Sequence, residues 1–272
     1  MKFYKMNGAG NSFVIFDARR EKLDADADAI RQIADPATGV GADQVIAMEP
    51  SLSGDVFMRI WNRDGSEAGA CGNATRCVAW LALEETGKDD VTIETISGRL
   101  HAKRAGDDMI SVDMGSPLLK WEEIPLAERM DTRGIDLKIG PIDNPYLQLP
   151  GAVNMGNPHV VFFVEDLDAT DIAAVGSLVE RHPLFPEGVN VGFAEITGRD
   201  SMRLRTWERG VGRTLACGTN ICAAVVAAAR RNLTDRQVAV TNDGGVVHID
   251  WRESDDHVIM TGPIELEYEQ AV

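Results

Sequence analysis

Two kinds of apolar pattern alternate along the chain. The first is a series of short runs rich in β-branched and aromatic residues, at 13–16, 55–61, 91–95, 109–112, 160–164, 203–207, 238–241 and 246–250. Clusters of Gly, Asn, Asp and Pro separate them, and such spacing predicts β-strands. The second kind is rarer. From about 73 to 87, and again from about 218 to 232, the chain is apolar on nearly every side: Val78, Ala79, Trp80, Leu81, Ala82 and Leu83 in one stretch, Ala223 to Ala229 in the other. A helix without a polar face belongs in the interior. Gly87 suits the residue after a helix end. Arg230 and Arg231 fall in the last turn of the second stretch, where positive charge complements the dipole. Two shorter, amphipathic helices are predicted over 26–35 and 172–181. The pattern as a whole predicts an α/β (α+β) fold, a mixed β-sheet wrapped around one buried helix in each half.

The halves share landmarks at one spacing. Cys71-Gly72-Asn73 and Cys217-Gly218-Thr219 both precede an apolar helix, with 146 residues between the cysteines. Gly10-Asn11 and Gly156-Asn157 each lead into an apolar strand, again 146 residues apart. The same step carries Gln44 onto Asn190 and Asn62 onto Glu208. Four polar landmarks at one offset predict a duplicated architecture, two domains related by a pseudo-twofold axis.

The length, 272 residues, fits two domains on the usual size of roughly 150 residues each. The segment 118–150 carries several prolines and mixed polarity, so the boundary is expected near its start. One domain would then be 1–117, completed by 263–272, and the other 118–262. Apolar residues make up 44% and charged residues 26%, values of an ordinary folded protein. The net charge is -16. So acidic a surface repels nucleic-acid backbones and anionic lipid, so neither partner is expected. No apolar run approaches the roughly 18 residues of a membrane span. The N-terminal residues show no signal-peptide pattern, and a cytoplasmic location is expected. Thiols stay reduced there, so the four cysteines are read for thiol chemistry rather than disulfides.

Cys71 and Cys217 each stand at a helix start. Unpaired N–H groups and the positive end of the dipole gather there, an arrangement expected to lower a thiol pKa and to bind an anion. Gly72 and Gly218 let a ligand approach the backbone. With one sulfur on each side of a pocket, a thiolate removes an α-proton from an amino acid and a thiol returns one to the opposite face. The N–H groups stabilise charge spreading onto the carboxylate. No metal and no other cofactor is required. Cys77 and Cys222, inside the apolar helices, read as packing residues. The cysteine spacings are poor zinc patterns, and there is no Cys-x-x-Cys pair.

At these residues the sequence resembles the diaminopimelate epimerase family. The matching segments are Met6-Asn7-Gly8-Ala9-Gly10-Asn11-Ser12-Phe13, Gly39-Val40-Gly41-Ala42-Asp43-Gln44, Asn62-Arg63-Asp64-Gly65-Ser66-Glu67 and Ala70-Cys71-Gly72-Asn73-Ala74-Thr75-Arg76-Cys77. They continue through Met155-Gly156-Asn157-Pro158-His159, Glu187-Gly188-Val189-Asn190, Glu208-Arg209-Gly210 and Ala216-Cys217-Gly218-Thr219. The resemblance implies interconversion of LL- and meso-2,6-diaminopimelate, without cofactor, with Cys71 and Cys217 as the two bases. It implies that Gly72, Asn73, Gly218 and Thr219 offer N–H groups to the reacting carboxylate. Glu208 would hold the reacting ammonium and His159 would orient the site. Asn11, Gln44, Asn62, Asn157, Asn190 and Arg209 would recognise the substrate, notably its distal end, and a homodimer is compatible with the resemblance. Neutral amides and an arginine suit that end, itself an ammonium and a carboxylate.

Two positions depart from the family's habit. Arg63 stands where a small residue is common, and Asn220-Ile221 where a small pair is common; Asn220 is expected to cap the helix and Ile221 to bury. Two other readings compete: a two-cysteine racemase of proline or hydroxyproline, disfavoured by the polar set, and a non-catalytic binding or thiol-redox protein on the same fold.

Overall fold

The computed structural model describes residues 1–141 and 143–271 and divides into two compact units, Met1–Asp113 with Thr261–Val272, and Met114–Met260. The first unit runs β1 (Lys2–Gly8), β2 (Asn11–Asp17), α1 (Ala27–Ala34), β3 (Gln44–Glu49), β4 (Val56–Asn62), β5 (Glu67–Ala68), α2 (Gly72–Thr86), β6 (Asp90–Thr95), β7 (Gly98–Gly106) and β8 (Met109–Asp113). The second begins with the small pair β9 (Lys138–Ile139) and β10 (Leu147–Gln148), then β11 (Gly151–Asn154), β12 (Pro158–Val164), α3 (Ile172–Glu180), β13 (Asn190–Gly198), β14 (Ser201–Glu208), β15 (Gly212–Thr214), α4 (Gly218–Arg230), β16 (Gln237–Asn242) and β17 (Gly245–Trp251). Strand β18 (Val258–Pro263) crosses the boundary and β19 (Glu265–Ala271) belongs to the first unit.

The expected breaks after 117 and 262 fall a few residues late. Strand β8 ends at Asp113, and the next residue, Met114, already donates its N–H to Val258 O in the second unit. Chain direction follows hydrogen bonding there, which a composition shift does not report.

The two units repeat one pairing scheme. In the first, β2 and β3 are parallel, β3 and β4 antiparallel, and β4 then pairs antiparallel with β5 and parallel with β6. In the second, β12 and β13, β13 and β14, β14 and β15, and β14 and β16 do the same. The register repeats as well: Phe13 faces Gln44 as His159 faces Asn190, Val45 faces Trp61 as Val191 faces Trp207, and Ile60 faces Ala68 as Thr206 faces Thr214. Every one of these partners is related by the same step of 146 residues.

Each sheet wraps a central helix. Helix α2 touches β1, β2, β4, β6, β7 and β8; α4 touches β11, β12, β13, β14, β16 and β17. That is why both helices are apolar all round: in α4, Ile221 to Ala228 are all buried. The outer face of each sheet is covered by a shorter helix, with one apolar stripe. Asp26 caps α1 by accepting from Ala29 N–H (2.9 Å), and Asp171 caps α3 by accepting from Ala174 N–H (3.0 Å). Ile30 and Ala34 of α1 pack with Phe3, Val14, Phe16 and Val45. Because both faces are covered there, β2, β3, β12 and β13 read as continuous apolar runs rather than alternations; Phe13, Val14, Ile15 and Phe16 are all buried.

The segment 118–150 is more than a boundary. Ile124, Leu126, Ile135, Leu137, Ile139 and Leu147 join Val175 and Val179 of α3 in the outer core of the second unit. Its prolines and polar residues lie between these anchors, which hid the apolar contribution. No helix is long and apolar enough to cross a membrane among the described residues.

Candidate active site

In each unit one of the two cysteines singled out from the sequence stands at the start of the central helix. Cys71 is the N-cap of α2, with extended backbone (φ -152, ψ 112), and Cys217 is the N-cap of α4 (φ -134, ψ 110). Neither makes a side-chain cap bond. Their carbonyls accept the first intrahelical bonds, from Thr75 N–H (2.9 Å) and Ile221 N–H (3.0 Å). The N–H groups of the first turn, on Gly72 and Asn73 in one helix and on Gly218 and Thr219 in the other, therefore have no acceptor within their helix. Such a helix start is suited to bind an anion.

In the first unit Asn73 Nδ2 donates to Asn11 Oδ1 (2.6 Å), tying the helix start to the turn between β1 and β2. That turn needs Gly10, whose φ is 89; its counterpart Gly156, before Asn157, has φ 93. Both values lie where side chains are disfavoured. Gln44 Nε2 donates to Asn62 Oδ1 (3.0 Å), its cross-strand partner, and Asn62 Nδ2 donates to Ser66 Oγ (3.1 Å). The amide oxygens of the two donors stay unengaged: Gln44 Oε1 and Asn73 Oδ1 are buried without a hydrogen-bond partner among the described residues. Lys5, a buried lysine, donates to Ser12 Oγ and to Gly41 O, and so links the loops carrying Asn11 and Gln44.

The second unit gathers the ionisable groups. His159 is fully buried and its Nε2 lies 2.8 Å from Asn157 Oδ1, an acceptor, so Nε2 carries the proton. Burial, with the Arg209 charge adding to it, pushes its pKa down to about 3, so the ring is neutral in use. Asn190 bridges two segments: Nδ2 donates to Pro158 O (2.9 Å) and Oδ1 accepts from Arg209 N–H (3.0 Å). The Arg209 guanidinium donates through Nη1 to Glu187 O (2.7 Å). Glu208 Oε1 accepts from Thr214 Oγ1 (2.6 Å). Burial raises its carboxyl pKa, while hydrogen bonds from Thr214 and Cys217 pull the other way. Cys217 Sγ lies 3.5 Å from Thr219 Oγ1.

One expectation is corrected here. A helix start was expected to lower a thiol pKa, yet that of Cys217 is raised well above the ordinary value, first by burial and then by the Glu208 carboxylate beside it. The bonds from Thr219 and from Asn220 N–H oppose this and lose. Burial and Glu208 both favour the thiol form of Cys217. Cys77 is also buried, with its pKa pushed up to about 12, and its Sγ points at Asn7 O (3.7 Å), as a packing residue would. Arg63 is exposed and stands clear of the interior. Asn220 does not cap α4, whose N-cap is Cys217; its side chain is buried against Gly192 instead, and Ile221 is buried.

Thr214 was not among the residues read from sequence. The signal was present: Gly210 and Gly212 bend the chain back so that residues 208 and 214 meet across the β14–β15 hairpin. No group of side chains suited to a metal ion occurs among the described residues.

The fold, two sheet-wrapped helices with a shared pairing scheme, defines a known class. A hydroxyproline epimerase from Agrobacterium vitis aligns with a TM-score of 0.69 at 16% identity, over 99% of this chain and 91% of that one. A phenazine biosynthesis protein from Bacillus anthracis aligns with a TM-score of 0.66 at 17% identity, over 100% and 98%. Those likenesses concern the fold alone. The sequence goes further. The family model for diaminopimelate epimerase matches residues 3–120 and 151–267, omitting most of the segment packed over α3. Proteins called diaminopimelate epimerase from Caulobacter vibrioides and Phenylobacterium zucineum are 55% and 52% identical, each over 98% of this chain and 95% and 96% of their own. The chain belongs to the diaminopimelate epimerase family.

Proposed function

We propose that this protein is an isomerase that interconverts LL- and meso-2,6-diaminopimelate, with Cys71 and Cys217 as the two acid–base groups. The observation that carries the assignment of the sulfurs is their shared placement: each is the N-cap of a buried helix, with the same extended backbone and a first turn of unpaired N–H groups.

The chemistry follows from that placement. The substrate carboxylate binds the N–H groups of Gly72, Asn73, Gly218 and Thr219, and these stabilise the charge that spreads onto it as the α-proton leaves. Glu208, ionised, holds the reacting ammonium. One of the two sulfurs, as thiolate, takes the α-proton and the other, as thiol, delivers one to the opposite face; burial and Glu208 favour the thiol form of Cys217. The reverse direction exchanges the roles. His159, neutral and bonded to Asn157, orients that side of the site without adding charge. Asn11, Gln44, Asn62, Asn157, Asn190 and Arg209 recognise the distal ammonium and carboxylate. A substrate lacking that end leaves these groups unpaired and is rejected. We place the reaction in the cytoplasm, where both thiols stay reduced.

Incubation with LL-diaminopimelate in D2O, without added metal or pyridoxal phosphate, tests the assignment. Deuterium at one α-carbon and formation of the meso isomer are expected. Absence of both, with turnover of proline or hydroxyproline instead, refutes it.

A further inference from the structure

We propose that Thr214 is a positioning residue for the reaction: its hydroxyl holds Glu208 ionised and fixes which carboxylate oxygen faces Cys217 and the substrate ammonium. The inference rests on the reading of Glu208 given above.

The geometry is specific. Thr214 ends β15 and Glu208 ends β14, and the hairpin between them pairs Thr206 with Thr214 and Glu208 with Gly212. Thr214 Oγ1 donates to Glu208 Oε1 at 2.6 Å, the short distance of a hydrogen bond to an ionised acceptor. That bond ties Oε1 to β15 and so limits rotation of the carboxylate. The repeat sharpens the point. The residue 146 positions before Thr214 is Ala68, and the one before Glu208 is Asn62. A neutral amide needs no such support, and Asn62 takes its bonds from Gln44 and gives one to Ser66. In the first unit the hydroxyl beside the paired position belongs to Ser66 and accepts from the Asn62 amide, whereas the Thr214 hydroxyl donates to a carboxylate.

Few other groups reach Glu208. Cys217, at the start of α4, is the other side chain acting on it among the described residues. The neighbouring charges are engaged elsewhere. Arg209 bonds to Glu187 O, Arg213 of β15 pairs with Asp243 after β16, and Glu180 of α3 accepts from Trp207 Nε1 and Gly210 N–H. Burial pushes Glu208 toward its neutral form, and Thr214 is the first opposing influence. Its removal raises the carboxyl pKa, so the ionised form is lost at a higher pH.

The test compares wild type, Thr214→Val and Thr214→Ser. Selective 13C labelling of glutamate carboxyls, with Glu208→Gln for assignment, reads the Glu208 titration by NMR directly. Val should move that midpoint up by roughly one pH unit, and Ser should restore it. In turnover of LL-diaminopimelate, the acid limb of kcat/KM should move up equally in Val, with little change at the alkaline end. An unmoved Glu208 titration, or a uniform loss at every pH that Ser does not rescue, overturns the proposal. The NMR arm needs no turnover, so an inactive wild type sinks the assigned reaction and leaves this arm to decide the role of Thr214.

Discussion

The Asn220 side chain fills the space that a β-carbon at Gly192 would need, its Oδ1 standing where that carbon would go. The equivalent pair in the first unit, by the step of 146 residues, is Ala74 and Ile46. At these positions the helix residue is small and the strand residue large in one unit, and the sizes are exchanged in the other. Gly192→Ala should therefore cost about 1–3 kcal/mol through overpacking. Urea unfolding of the single variants and of Gly192→Ala/Asn220→Ala should show most of that cost relieved in the double variant. Additive costs would mean the two residues do not share the space.

The same asparagine yields a second expectation. Both polar atoms of its side chain are buried without a hydrogen-bond partner among the described residues. Removing an unsatisfied amide leaves behind a cavity but no orphaned partner. Asn220→Ala alone should change stability by less than about 1 kcal/mol, unlike a typical buried truncation. Thermal unfolding by calorimetry would show it.

Three cysteine variants separate chemistry from packing. Cys71→Ala and Cys217→Ala should each lower epimerisation by about 10²–10⁴-fold or more, the scale of a lost acid–base group. Cys77→Ala should act on stability, by about 1 kcal/mol, with turnover per folded molecule little changed. Comparable turnover loss in folded Cys77→Ala would show the wrong sulfurs were chosen.

His159 gives a pH expectation with a definite sign. Its pKa is about 3 in the folded protein against an ordinary 6.5. The unfolded chain thus takes up a proton that the folded one does not, as pH falls below 6.5. Folded stability should drop across that window by up to roughly 1.4 kcal/mol per pH unit from this group alone. Above the window it contributes no slope. His159→Phe should flatten the dependence between pH 4 and pH 6 in urea melts; an unaltered slope would mean the ring is protonated where it sits.

Much of this was legible in the chain because the strongest signals are local. All-apolar helices between Gly- and Asn-rich turns mark α2 and α4, and amphipathic stretches mark α1 and α3. The repeat of 146 residues tied Gln44 to Asn190 and Asn62 to Glu208 before any pairing was known. What escaped depends on contacts between distant residues. The raised pKa of Cys217 follows from burial beside Glu208, which overrides the helix dipole. Thr214 matters because a hairpin delivers its hydroxyl to a carboxylate. The apolar anchors of 118–150 were masked by the prolines between them.

The pairing of β19 with β1, Lys2 opposite Ala271, has a consequence for biosynthesis. The unit Met114–Met260 is one uninterrupted piece of chain. The other unit must wait for β19, because its first strand lacks one neighbour until then. The nascent protein should thus acquire its Cys217 lobe before its Cys71 lobe, although Cys71 is translated first.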